Sequence, residues 1–152
     1  MNVRVEFTPE SQAKFEAAIV LRLRSVKPTV LEAMRDRCYE LVMGNFGTAG
    51  VDRPFSWPPL SYPYALKVKR EIATLVVTGA LKAAVQKGGT EGDSTTVSIS
   101  NSSVPYATIH QTGGKNMPAR PYFPINDDGE VLPYSASEIN AAAQEALRRA
   151  LS

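Results

Sequence analysis

Between Pro105 and Pro124 the chain reads Pro-Tyr-Ala-Thr-Ile-His-Gln-Thr-Gly-Gly-Lys-Asn-Met-Pro-Ala-Arg-Pro-Tyr-Phe-Pro, and no regular element can run its length. Each proline fixes φ and removes a backbone donor, while the Gly113-Gly114 pair tolerates positive φ. The stretch predicts a short helical turn, a glycine break, and then a proline-stiffened extended arm: a rigid, shaped connection around which the rest must pack. Pro121 before Tyr122 and Pro124 after Phe123 keep both rings on extended backbone, pointing to opposite faces. Arg120, between Ala119 and Pro121, reads as a fixed anchor.

The remaining residues supply enough material for one domain over 1–152. At 152 residues and 43% hydrophobic content, folding buries roughly two-thirds of the chain's surface. A net charge of +2 with 21% charged residues argues against disorder and against a strongly polyanion-seeking protein. The single cysteine, Cys38, excludes an intramolecular disulfide and a cysteine-based zinc site, and its apolar helical setting favours a buried, inert thiol. No stretch approaches the ~20 apolar residues that span a bilayer, and the first residues lack a signal peptide's apolar run. No membrane association is expected, and a cytoplasmic setting is.

Val3, Val5 and Phe7 alternate with polar residues, predicting a short strand. Thr8-Pro9-Glu10 then opens a helix, with Thr8 as cap, Pro9 at the first helical position and Glu10 at the positive end. Phe15, Ala18, Ile19 and Leu23 form its predicted core stripe. Lys27-Pro28-Thr29 is expected to break that helix and cap a second, whose stripe is Val30, Leu31, Met34, Cys38, Leu41 and Val42, running to about Phe46. From Gly44 to Pro63 a glycine- and proline-rich loop is expected. It carries Phe55, Trp57, Leu60, Tyr62 and Tyr64, too apolar for a linker, so it packs across the domain or against a neighbouring subunit. Trp57 is either a core lid or an interface residue.

Tyr64 to Glu71 is helix-capable. Thr78-Gly79 marks a tight turn that carries Leu81 inward and leads into a strand. Ala83 to Lys87 and Thr95 to Asn101 read as a β-hairpin around the polar loop 87–94, with Val97 and Ile99 facing in. The loop's glycines have neither the strand-loop-helix context nor the Gly-Lys-Ser/Thr ending of a phosphate cradle. Asn126-Asp127-Asp128-Gly129-Glu130 lacks the ligand spacing of a calcium loop and reads as a solvated turn. Ser135-Ala136-Ser137-Glu138 offers caps for a last helix with Ile139, Ala143, Ala146, Leu147, Ala150 and Leu151 as its stripe, expected to dock on the sheet.

The lone His110 has no second histidine, no Gly-x-Ser-x-Gly and no recognisable carboxylate pair to work with, so no enzyme, cofactor or metal site is expected. A hydrogen bond between His110 and the backbone of Gly113 to Arg120, ordering the loop, is the favoured reading. Basic clusters at Arg22, Arg24 and Lys27, at Lys67, Lys69 and Arg70, and at Arg148 and Arg149 lie on helix rims. They leave a small nucleic-acid-binding module as the alternative function, although specific nucleic-acid binding is not expected.

Tyr106-Ala107-x-x-His110-Gln111-x-Gly113-Gly114 followed by Pro118-Ala119-Arg120-Pro121-Tyr122-Phe123 resembles the signature of the virion-morphogenesis, or tail-completion, family of Mu-like and P2-like tailed phages and prophages. Phe55-Ser56-Trp57-Pro58-Pro59-Leu60-Ser61 with Lys67 resembles the family's tryptophan, leucine and lysine block, and Thr78-Gly79-Ala80-Leu81-Lys82 its Thr-Gly-x-Leu-basic element. The three blocks stand in order over about residues 45 to 125. Departures are Tyr122-Phe123-Pro124, where the family often has Phe then Leu, and Lys82, where arginine is common. The resemblance implies a structural protein of the virion tail or neck, made in the bacterial host cytoplasm. It would complete the tail or join it to the head as a homo-oligomeric ring, a hexamer among the candidates, in contact with other neck or tail proteins.

The expected fold is α+β, a small mainly antiparallel sheet with helices packed on one face and long Gly/Pro-rich loops. Trp57, Tyr62, Arg120, Tyr122 and Phe123 are the expected subunit or partner contacts, and Thr78, Gly79, Leu81, Tyr106, His110, Gly113 and Pro121 the structural pins.

Overall fold

The computed structural model describes residues 8–48, 57–59, 61, 63, 75, 79–100 and 102–152. The expected strand at Val3 to Phe7, the helix at Tyr64 to Glu71, half of the 44–63 loop, Tyr62 and Thr78 lie outside the described residues. The described elements are helix α1 (Pro9–Gly47), helix α2 (Ala80–Ala83), strands β1 (Val85–Glu91) and β2 (Ser94–Ile99), helix α3 (Ala107–Thr112) and helix α4 (Pro133–Leu151). Helices with a two-stranded antiparallel sheet make this an α+β fold.

α1 begins as its sequence dictates. Thr8 Oγ1 accepts from Ser11 N at 3.2 Å, satisfying one of the orphan donors of the first turn, and Pro9 takes the position where a missing N–H costs nothing. The expected break at Lys27-Pro28-Thr29 is absent: one helix of 39 residues runs through Pro28 and past Gly44. An interior proline costs a helix about 3 kcal/mol, and packing from α4 bridges the site. The two helices lie antiparallel, with Arg22 Nη2 donating to Ala150 O at 3.1 Å on one side of Pro28 and Arg37 Nη2 bonding Glu138 Oε2 at 2.6 Å on the other. α4 therefore docks on α1 rather than on the sheet as expected. Half of its stripe is alanine, at 143, 146 and 150, which permits close approach of two helix backbones. It also starts earlier than its serines suggested, at Pro133, leaving Ser135 buried inside the first turns.

The first half of α1 departs from its reading. Phe15, Ile19 and Leu23, expected as a core stripe, are exposed. Burial begins at Val26 and becomes complete at Val42 and Phe46, where the C-terminal end of the helix enters the core.

The hairpin forms, with a longer first strand and a shorter turn than expected. Gly88 and Gly89 sit within β1 at a register irregularity between Lys87 and Thr90, and the turn is reduced to Gly92-Asp93, because Glu91 pairs with Ser94. Gly92 supplies the positive φ, +57°, that such a two-residue turn requires. Val97 and Ile99 face inward as expected. Lys27 is ion-paired to Asp93, and Asp36 to Lys87 at 3.1 Å, so the hairpin lies along α1. The hydrogen bond from Lys87, with Arg35 adding to it, holds the Asp36 carboxyl below its ordinary value. Gly79, at φ +72°, turns the chain into α2, which carries Leu81 into the core as expected.

Candidate functional site

The stretch 105–124 closes on itself in steps that each residue type explains. α3 presents Gln111 and His110. Its end is set by Gly113, whose φ of +81° no branched or bulky residue adopts without strain. The space is closed as well, since a Cβ there would stand 3.0 Å from Ala119 N. Gly114 and Met117 then pair through both backbone groups, at 2.8 and 3.1 Å, turning the chain back beneath α3. His110 O accepts from Arg120 N at 2.7 Å, so the expected bond between His110 and this backbone exists, but through its carbonyl rather than its ring. The ring packs edge-on to Tyr106, and its Nδ1 has no hydrogen-bond partner among the described residues. Burial, followed by the positive charge of Arg120, holds the imidazole below its ordinary value.

Beyond Arg120 the arm is pinned by side chains. Gln111 Oε1 accepts from both Tyr122 N and Phe123 N at 3.0 Å. Asn45 Nδ2, from the last turn of α1, donates to Tyr122 O at 2.8 Å. Tyr122 is 1% exposed, stacks on Phe46 with ring centroids 5.5 Å apart, and donates its hydroxyl to Ala107 O at 3.1 Å. Burial pushes its phenol up to about 12.

The arm also holds the Trp57-Pro58-Pro59 segment. Arg120, 5% exposed, donates from Nε to Pro58 O at 2.9 Å and from Nη2 to Pro59 O at 2.8 Å. Trp57 Nε1 returns a bond to Pro121 O at 2.8 Å, and its ring meets Phe46 edge-on. Two prolines in a row present carbonyls but no N–H, so a fork of donors is the matching partner, and arginine supplies it. The arrangement is a backbone clasp: two distant segments exchange side-chain donors and main-chain acceptors across Phe46.

These positions correct the interface reading of Trp57, Arg120 and Tyr122. All three are buried by their own chain, so they hold the fold and are not available to a neighbour's surface. Phe123 is half-buried and tilted against Tyr122. Tyr62 and Thr78 lie outside the described residues. Gly79, Leu81, Gly113 and Pro121 act as pins in the senses given above, and Tyr106 does so by packing on His110. Asn45 and Gln111 were not singled out as site residues. A polar residue at a buried helix position, next to Phe46, was the available signal for Asn45. Gln111 gave only its place beside His110.

Elsewhere, Arg148 and Arg149 both bond Glu145, at 2.5 and 2.7 Å, and Lys67, Lys69 and Arg70 lie outside the described residues. Arg22, bonded to Ala150 O, lies at the same end of the α1–α4 pair as Arg148 and Arg149. No group of three or more His, Cys, Asp or Glu stands close enough to hold a metal among the described residues. Cys38 is half-buried, and burial raises its thiol. No described helix is long and apolar enough to cross a membrane. Comparison with protein families, with curated proteins and with solved structures returned no match.

Proposed function

We propose that the chain is a structural component of a tailed-phage virion, completing the tail or joining it to the head as one subunit of a ring, with no catalytic step of its own. One observation carries the reading. Two of the sequence blocks that resemble the virion-morphogenesis family close on each other in space, through Arg120 to Pro58 and Pro59 and through Trp57 to Pro121. The clasp gives a small subunit a stiff arm whose outer edge carries the exposed residues Lys115, Asn116, Pro118 and Ala119, a shaped surface for neighbouring tail or neck proteins.

Burial of Arg120 changes which substitutions test the idea. Loss of assembly in Arg120→Ala would follow from the weakened fold alone. The direct test is deletion of the gene from the phage or prophage that carries it, followed by induction and electron microscopy. Unjoined heads and incomplete tails, restored to infectious virions by a plasmid-borne copy, are expected. Normal virion yield from the deletion overturns the reading.

A further inference from the structure

Outside α1 and the last turn of α4, the large apolar side chains that stand exposed among the described residues form two pairs: Tyr106 with Ile109 at α3, and Val131 with Tyr134 where α4 begins. Single exposed apolar residues are ordinary, whereas neighbouring ones mark a contact. Tyr106 and Ile109 are three residues apart and so share one side of α3. Gln111, two residues beyond Ile109, lies roughly 200° around the helix, and Gln111 is the residue that holds Tyr122 and Phe123. The first pair is therefore turned away from the arm. The second follows the arm's far end, where Leu132 N donates to Pro124 O at 2.9 Å and Val131 bridges to Ile125. Both pairs remain exposed, so neither covers the other within the chain.

The charges at their rims say what covers them. Lys115 follows the Gly114 that stands against Ile109 Cγ2, and so borders the first pair. Asp127, Asp128 and Glu130 border the second, on a turn fixed by Asn126 Oδ1, which accepts from Asp128 N at 3.0 Å and Glu130 N at 2.8 Å. All four charged residues are exposed, and none enters an ion pair among the described residues. One chain thus carries an apolar pair with a basic rim and an apolar pair with an acidic rim. The partner that matches both is a second copy.

We propose that subunits associate through these unlike faces, Tyr106 and Ile109 of one copy seating on Val131 and Tyr134 of the next, with Lys115 against the acidic turn. The proposal rests on the ring reading above and names the surfaces that meet. A contact between unlike faces leaves one of each open at the ends of a pair, so further copies add until the rotation closes a ring. Opposite charge sets the orientation. Two apolar pairs and their rims make a small interface, so the subunits separate on dilution.

Light scattering coupled to size exclusion, from low micromolar to millimolar protein, reads the outcome. The wild type is expected to start at 16.5 kDa and to pass beyond twice that mass. Ile109→Glu and Tyr134→Glu each stay at the monomer mass, while their equimolar mixture pairs through the one intact contact and stops at twice the monomer mass. Lys115→Glu, at a fully solvated side chain, weakens association by roughly two- to fivefold, the size of an exposed ion pair. Circular dichroism and urea midpoints matching the wild type separate lost association from lost folding. A wild type that stays monomeric throughout or stops at two copies overturns the proposal. So does a mixture that does not pair, or a Lys115→Glu chain that associates as tightly as the wild type. Complementation of the gene deletion separates this contact from the virion reading. If the deletion blocks assembly and an Ile109→Glu copy restores it, the contact falls and the virion reading stands; if the deletion leaves virions normal while the purified chain associates through both faces, the reverse holds.

Discussion

Replacing Arg120 with alanine removes two charge-assisted hydrogen bonds, to Pro58 O and Pro59 O, from a nearly buried guanidinium. Hydrogen bonds to charged groups contribute about 1.5–3 kcal/mol each. Two offsets bring the sum down. The unfolded guanidinium is better solvated than the folded one, and Pro58 and Pro59 are exposed, so water can take over the freed carbonyls. The expected loss is about 2–4 kcal/mol, below the 3–5 typical of breaking a fully buried ion pair. With a urea dependence of about 2 kcal/mol per molar, that is a fall of roughly 1–2 M in the unfolding midpoint. Trp57, the only tryptophan, reports it directly, since its indole N–H bonds the residue after Arg120. Arg120→Lys retains charge without the planar fork and should lie between wild type and Arg120→Ala. A midpoint for Arg120→Ala within about 0.3 M of wild type, or a lysine variant as stable as wild type, would refute the clasp as a source of stability.

Other consequences are open to measurement. Gly113→Ala meets both a φ of +81° and backbone 3.0 Å away, and should cost about 2 kcal/mol or more in urea unfolding; a neutral effect would show that the α3 end is not held. Gln111→Leu strands the N–H groups of Tyr122 and Phe123, and should destabilise by about 2 kcal/mol, with accelerated amide exchange at both positions; unchanged exchange contradicts it. For His110, burial and Arg120 lower the folded-state value below 6.5, so the unfolded chain binds the proton that the folded chain gives up. Stability is therefore full above about pH 6.5 and declines as pH falls through that value towards the folded-state one. The slope should vanish in His110→Phe, and its persistence there assigns it to another group. Ultraviolet titration should show a tyrosine step near pH 12, the value to which Tyr122 is pushed. Tyr122→Phe should abolish that late step.

Local signals were legible where a single residue type meets a local demand. Thr8-Pro9-Glu10 opens α1, Gly79 turns the chain into α2, Gly113 ends α3, and Val97 and Ile99 alternate inward on β2. What escaped a reading of the chain is non-local. Pro28 carries a break signal, and α4, arriving from the far end of the sequence and bonding α1 on both sides, offsets it together with the hairpin that pairs Asp93 to Lys27. Gly88-Gly89 looks like a loop because glycine weakens strands in isolation, yet an irregular register accommodates the pair and leaves Gly92-Asp93 to turn. Tyr122 and Arg120 looked like outward contacts because aromatic and arginine side chains suit interfaces. Nothing nearby in sequence announces that Phe46 lies beneath one and a pair of proline carbonyls beside the other. The sequence pattern of 105–124 did mark the segment as rigid, and the clasp is the form that rigidity takes.

Because α1 is unbroken, its two ends are mechanically one object. Some 25 Å of it precedes Val26, while Asn45 and Phe46 at the other end grip Tyr122. A tilt of about 5° pivoting near Val26 swings the tip by roughly 2 Å over that length. The same tilt, acting over the shorter inner portion, loads the contacts around Tyr122. The segment ahead of Val26 is thus the outer arm of one lever, braced by α4 at Arg22, and a load at Thr8 reaches Tyr122 through continuous helix.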